Sequence, residues 1–314
     1  MSISKERKVR TNPSWTTRFW AVVKYELLWN IRKKKFLGVV VVAFALATLS
    51  LALPVILSNI TGQPLSQNPD YVISSGAGIG GIGLFLFAIV TVMNSISGEF
   101  ESGTIVPLLT KPVSRTMVFL GKIFAAFITL LSAYTVLLVY MAVGGSIVYG
   151  PQNNLHLVPL SLLGSVLSTL VWAAITLAIG SLSKSSLIAA LGTFGIFIAL
   201  SISHPIVSIF SDQAWVLNYV PGSGVSGNIK DLGKSVSSGT DNIAANLISS
   251  VLHPSSEVTF YKIGVLRPGS SSMIELYVEP LSLVLIRSVT VALAYILVFS
   301  FVAWYALKRA QVIE

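Results

Sequence analysis

The chain has 314 residues, of which 54% are hydrophobic and only 11% charged, and its mean hydropathy is +0.80. An ordinary soluble domain carries about 25% charged residues, so this surface cannot be kept wet by its own charges and a soluble globular or disordered chain is excluded. A polytopic membrane protein remains. The absence of cysteine removes disulfides, thiolate metal sites and thiol nucleophiles.

The formal charge of +9 would suggest nucleic acid in a soluble protein, but its distribution points to a membrane surface instead. Ten of the 21 Lys and Arg precede the first apolar stretch, four of them as the block Arg32, Lys33, Lys34, Lys35. Such blocks next to a span set its orientation.

Six stretches are long and apolar enough for the ~20 residues a membrane crossing requires: 36–58, 76–95, 118–148, 157–182, 187–210 and 281–307. Pro54 and Pro205 lie inside the first and fifth. With the N-terminus in the cytoplasm, the inner segments hold the first ten basic residues plus Lys111, Arg115, Lys122, Lys184, Lys308 and Arg309. The outer segments hold only Lys230, Lys234, Lys262 and Arg267. Sixteen against four predicts that both termini are cytoplasmic.

Ahead of the first span, residues 14–35 read as a helix lying on the inner membrane surface. Ser14 is its expected N-cap. Trp15, Phe19, Val23, Leu27 and Ile31 form the apolar stripe, with Arg18, Lys24, Glu26, Asn30 and Lys33 on the other faces. Trp15, Trp20 and Trp29 suit the headgroup level.

Two nucleotide-like motifs fail on context. Gly76, Gly78 and Gly81 satisfy the dinucleotide-binding spacing, but they open an apolar span rather than follow a strand. Gly76 and Gly80 there read as a small-residue step for helix packing. Gly233-Lys234-Ser235 resembles the end of a phosphate-binding loop, yet position 228, where the first glycine belongs, is Asn228. Within the spans, Arg287 is expected to reach outward to the interface, and His204 to bond a carbonyl freed by Pro205. No metal or catalytic constellation is visible.

The segment between the second and third spans is the informative one. It carries Glu99 and Glu101, then Gly103-Thr104, Leu108-Leu109, Pro112-Val113-Ser114-Arg115 and Gly121-Lys122. This order resembles the signature of type-2 ABC exporter permeases, although Phe100 stands at a usually basic position, Val106 at a usually acidic one, and Pro107 interrupts the segment. The basic surface helix, the six-span layout and the long loop between spans five and six are similar to that family as well.

The resemblance implies an all-α polytopic fold: a cytoplasmic N-terminus with its interfacial helix (1–35) and a six-span domain (36–314), with a coupling loop (96–117) and an extracellular loop (211–280). It implies that Glu99, Glu101, Gly103, Thr104, Leu108, Leu109, Pro112 and Arg115 engage an ATPase. Two such permeases, identical or paralogous, would pair in the plasma membrane, each above a separate ABC ATPase. This chain would hold no cofactor itself, ATP and Mg binding to the partner ATPase. Its other contacts would be membrane lipid, and none would be nucleic acid. The span faces suggest an amphipathic or apolar cargo such as a drug, peptide or lipid. The competing reading is an ATP-independent carrier or channel, for which inverted repeats and matched intramembrane charges are expected.

The loop 211–280 is far longer than an ordinary connection. Residues 243–252 are near helical spacing, and 258–265 suit either strand or helix. It is expected to be an ordered cap or re-entrant element over the outward exit.

Overall fold

In the computed structural model, residues 14–32, 34–65, 69–75, 80–104, 113–230, 232–267 and 270–309 are described. The helices are α1 (Trp15–Arg32), α2 (Lys34–Thr61), α3 (Tyr71–Ser75), α4 (Gly80–Val92) and α5 (Ser97–Glu101), followed by α6 (Arg115–Tyr149), α7 (Val158–Ser183) and α8 (Ser186–Phe210). A strand-rich segment then precedes α10 (Leu281–Arg309) and encloses a short helix, α9 (Ile243–Leu252).

Among the described residues, five helices are long and apolar enough to cross a membrane: Lys34–Thr61, Arg115–Tyr149, Leu155–Ser183, Ser186–Phe210 and Leu281–Arg309. They match five of the six expected spans to within a few residues. The remaining expected span, 76–95, contains α4, whose 13 residues reach only ~20 Å. Gly76 lies outside the described residues, and Gly80 is the first residue of α4.

Helix α7 is the hub. The apolar stretch of this helix is 72% buried, against 17% for those of α2 and α8, and it packs on α10, α4, α9 and α8. Its small residues permit this close packing, and three of its buried hydroxyls are satisfied within the helix. Ser168, Thr169 and Thr176 donate to the carbonyls of Gly164, Ser165 and Trp172 at 2.7–2.9 Å. Buried polar side chains in an apolar surrounding need such partners.

The fold is not all-α. Between α8 and α10 the chain forms a four-stranded antiparallel sheet in the order β2-β1-β3-β4. Its strands are β1 (Ser226–Ile229), β2 (Ser235–Ser237), β3 (Glu257–Arg267) and β4 (Ser270–Pro280). The expected helix at 243–252 is α9, and the ambiguous 258–265 lies within β3. Val258, Thr259, Phe260 and Tyr261 are β-branched or aromatic and favour a pleated surface. Val258 and Phe260 are fully buried with Ile229, Val225 and Leu217 against Leu281 and Val284 of α10, so the sheet is anchored on the start of that helix. Lys234 lies in the β1–β2 hairpin, where its carbonyl accepts the Ile229 N–H, and not between a strand and a phosphate-binding helix.

Helix α1 also departs from the expected stripe. Its packed face consists of Val23, Glu26 and Asn30, whereas Ile31 and Trp15 are half exposed. The two polar residues turn inward because α1 lies against α6, where Glu26 meets a buried cation. Ser14 starts the helix as expected, accepting the Thr17 N–H at 3.2 Å.

Candidate functional site

The segment expected to couple the protein to a partner is clamped to the bundle at several points. After α4 the chain turns through 93–96 into α5, which places two carboxylates on different neighbours. Glu99 Oε1 accepts from Lys122 Nζ at 2.7 Å, and Glu26 Oε1 accepts from the same ammonium at 2.5 Å. Lys122 and Glu26 are 3% and 6% exposed and Glu99 18%, so this ion triad joins α1, α5 and α6 away from solvent. One residue earlier on α6, Gly121 allows the approach: a β-carbon there would stand 2.7 Å from Val22 Cγ1.

Glu101 caps another helix. Its two oxygens accept the backbone N–H and the hydroxyl of Ser186, each at 2.7 Å, at the first turn of α8. A carboxylate suits the positive end of a helix. The Ser186 hydroxyl, then its N–H, hold the Glu101 carboxyl below its ordinary pKa. Between these acids, the Phe100 ring carries the Lys184 ammonium 5.6 Å from its centroid. The aromatic residue at the usually basic position thus serves as a cation's partner.

The far side of the segment is tied down as well. Gly103 adopts a left-handed conformation (φ +68°), and Thr104 shares a 2.9 Å hydroxyl contact with Ser102. Leu108, Leu109 and Pro112 lie outside the described residues. Ser114 caps α6 by accepting the Met117 N–H at 3.1 Å. Arg115 Nη1 donates to the last carbonyls of α10, Leu307 at 3.2 Å and Lys308 at 3.0 Å. Glu99, Glu101 and Arg115 are therefore brought to one end of the bundle, where together they hold α1, α6, α8 and α10. Displacement of this segment pulls on four helices at once.

Sequence reasoning missed Glu26 and Ser186. Glu26 is the one acid between residues 14 and 35, a signal for a buried partner that helical spacing alone assigned to another face. Ser186 precedes the expected span 187–210 and carries no local sign of the acid that its helix start binds.

At the other end, the loop drives a turn into the bundle. Ser168 Oγ donates to the Thr240 carbonyl at 2.7 Å, about 15 Å along α7 from its start. Trp172 Nε1 donates to Asp241 Oδ1 at 3.0 Å, and Ser288 of α10 donates to the Ser238 carbonyl at 2.8 Å. Gly164 makes room, since a β-carbon there would lie 2.4 Å from Ala244 Cα. His204 Nδ1 accepts the Gly224 N–H at 3.3 Å and contacts Ser223 Oγ at 3.2 Å, so the inserted loop takes this ring, not a carbonyl freed by Pro205. Arg287 does not simply reach for water: Nη1 donates to Glu279 Oε1 at 2.8 Å, closing β4 onto α10.

No group of three or more potential metal-ligating residues occurs among the described residues. The arrangement offers mechanical linkage, with ion pairs and caps tying one loop to many helices.

A multi-pass membrane bundle with such a clamped loop belongs to the class of transport permeases. Residues 20–312 match the model of the ABC-2 family transporter protein, and the chain belongs to that family. It is a permease of an ABC transporter, a membrane transport component whose family associates with ABC ATPase subunits. No curated protein matches the chain individually.

Proposed function

We propose that this permease forms half of an ATP-driven exporter. Two permease subunits, identical or paralogous, pair in the plasma membrane with both termini cytoplasmic. A separate ATPase, which binds ATP and Mg, docks beneath each. The loop 96–117 is the docking element, with Glu99, Glu101, Gly103, Thr104 and Arg115 positioning it and Leu108, Leu109 and Pro112 completing its contact. The sixth crossing falls in 76–95, where α4 supplies its central turns. The sheet and α9 form an extracellular cap over the outward exit. The cargo is amphipathic or apolar, as the largely uncharged span faces suggest.

The observation that carries this reading is the double clamp, Glu99 and Glu26 on Lys122 and Glu101 on Ser186. A passive connection has no need to grip three helices at once, whereas an element that receives force from an ATPase does.

The test is copurification of the chain with an ABC ATPase, followed by reconstitution. Glu101→Ala, Gly103→Pro and Leu108→Asp are expected to abolish cargo-stimulated ATP hydrolysis while the permease remains folded. Wild-type coupling in all three would reduce the segment to a connection, and transport without any ATPase would support a carrier instead.

A further inference from the structure

A cavity of about 350 Å³ opens between α1 and the bundle. Its walls come from Phe19 of α1, Leu120 and Phe124 of α6, Ala174 and Leu177 of α7, and Ile296 of α10. Ser300 is the one polar side chain among its lining residues. A cavity of about 150 Å³ lined by apolar side chains accepts benzene, so this larger apolar slot has room for a chain of methylenes.

Its shape and place narrow the occupant. The lining residues of α6 run from Leu120 to Phe127 and those of α7 from Leu170 to Leu177, so the slot extends about 10 Å parallel to the spans. One leaflet's hydrocarbon is about 15 Å deep. The lining residues that reach the surface, Trp15 of α1 and Leu120 of α6, mark the mouth, and Trp20, outside the lining, meets the Phe124 ring edge-on at 5.7 Å. Indoles at that level mark the boundary between headgroups and acyl chains. Residues 1–13 carry Lys5, Arg7, Lys8 and Arg10 and are too polar to fill an apolar slot. An empty slot would forfeit dispersion contacts along every wall.

We infer that this slot is a binding site for one acyl chain of a membrane phospholipid, taken from the leaflet in which α1 lies. The lipid wedges α1 against α6 beside the Lys122 ion triad. The inference rests only on the membrane placement of the spans, so its outcome is independent of ATPase coupling.

The test uses the purified chain in phosphatidylcholine nanodiscs doped with a phospholipid that carries a diazirine on one acyl chain. After irradiation, crosslinks are mapped by mass spectrometry. They are expected to be several-fold enriched on the α6 and α7 lining residues relative to the exposed faces of α2 and α8. Ala174→Phe, which fills the slot, and Leu120→Trp, which plugs its mouth, should each remove that enrichment. Leu191→Phe, on an exposed face of α8, should leave it unchanged. Labelling spread evenly over all lipid-facing helices, or enrichment that survives in a folded Leu120→Trp variant, would overturn the site.

Discussion

Lys122 Nζ lies 2.5 Å from Glu26 Oε1 in the seam between α1 and α6, with both side chains over 90% buried. An ion pair at such a site holds two elements in register, and removing one partner leaves a charge without compensation. Breaking a buried pair typically costs about 3–5 kcal/mol. Lys122→Met should therefore lower thermal stability strongly, by strandings of both Glu26 and Glu99. The double variant Lys122→Met/Glu26→Gln should recover part of the loss, since one of the two buried carboxylates is then neutral. Melting curves of the purified variants check both, and additive losses would show that the two residues act separately.

The Glu101–Ser186 cap has a definite pH dependence. Its hydrogen bonds favour the ionised form, so the folded carboxyl titrates below its ordinary range. A depressed carboxylate stabilises the folded state above its ordinary pKa, and that contribution is lost as pH falls through the folded value. The α5–α8 junction should thus loosen as the pH falls below the ordinary glutamate range and through the depressed value of Glu101. Hydrogen exchange of the first-turn amides of α8 is expected to quicken there. In Glu101→Gln the same amides should exchange faster at neutral pH and respond less to acid.

How far the sequence carried this reading depends on the kind of signal each element leaves. Five spans were legible because runs of apolar residues have few alternatives, and the cap at Ser14 because its chemistry is local. Residues 243–252 were legible as α9 from helical spacing. The sheet was not, since Val258–Phe260 suits a buried strand or a buried helix until its partners in β1 and β4 are known. In α1, apolar spacing placed Glu26 on an outer face, and only the position of Lys122, 96 residues away in the chain, explains why it turns inward. Of the candidate site, the positions of Glu99, Glu101 and Arg115 were legible, but Ser186 and the carbonyls of Leu307 and Lys308 come from distant helices and leave no local pattern.

Trp172 anchors the inserted turn through a donor that no other residue in its position would supply. Trp172→Phe keeps the aromatic contacts with Phe85 and Phe197 but deletes the N–H that meets Asp241. Loss of a hydrogen bond to a carboxylate costs about 1.5–3 kcal/mol. Amides of 240–252 should exchange faster in this variant, with those of α5 and α6 unchanged. Asp241→Asn retains an acceptor for the indole and should have the smaller effect. Equal protection in Trp172→Phe and the wild type would mean that the turn is held by its other contacts, those of Ser168, Gly164 and Ser288.

The last prediction separates the two ends of the molecule. Helix α9 buries Ile243 and Ile248, rests its first turn on Gly164, and donates from Asn246 to the Ser237 carbonyl at 3.0 Å. These contacts lie at the sheet end of α7, while the Glu99 and Glu101 clamps lie at the opposite end. Replacing 241–253 by a Gly/Ser linker of equal length removes the α9 packing without touching a residue of the clamp. ATPase binding to the variant should match the wild type if 96–117 is the docking element as proposed, because that segment keeps its ion pairs and caps. Export should fall to background if the inserted turn closes the outward pathway, and basal ATP hydrolysis should persist without stimulation by cargo. The two readouts, ATPase binding and cargo flux in proteoliposomes, are measured on the same preparation. Normal flux would reduce the inserted turn to a packing element, whereas loss of ATPase binding would show that the two ends of α7 are linked through the helix itself.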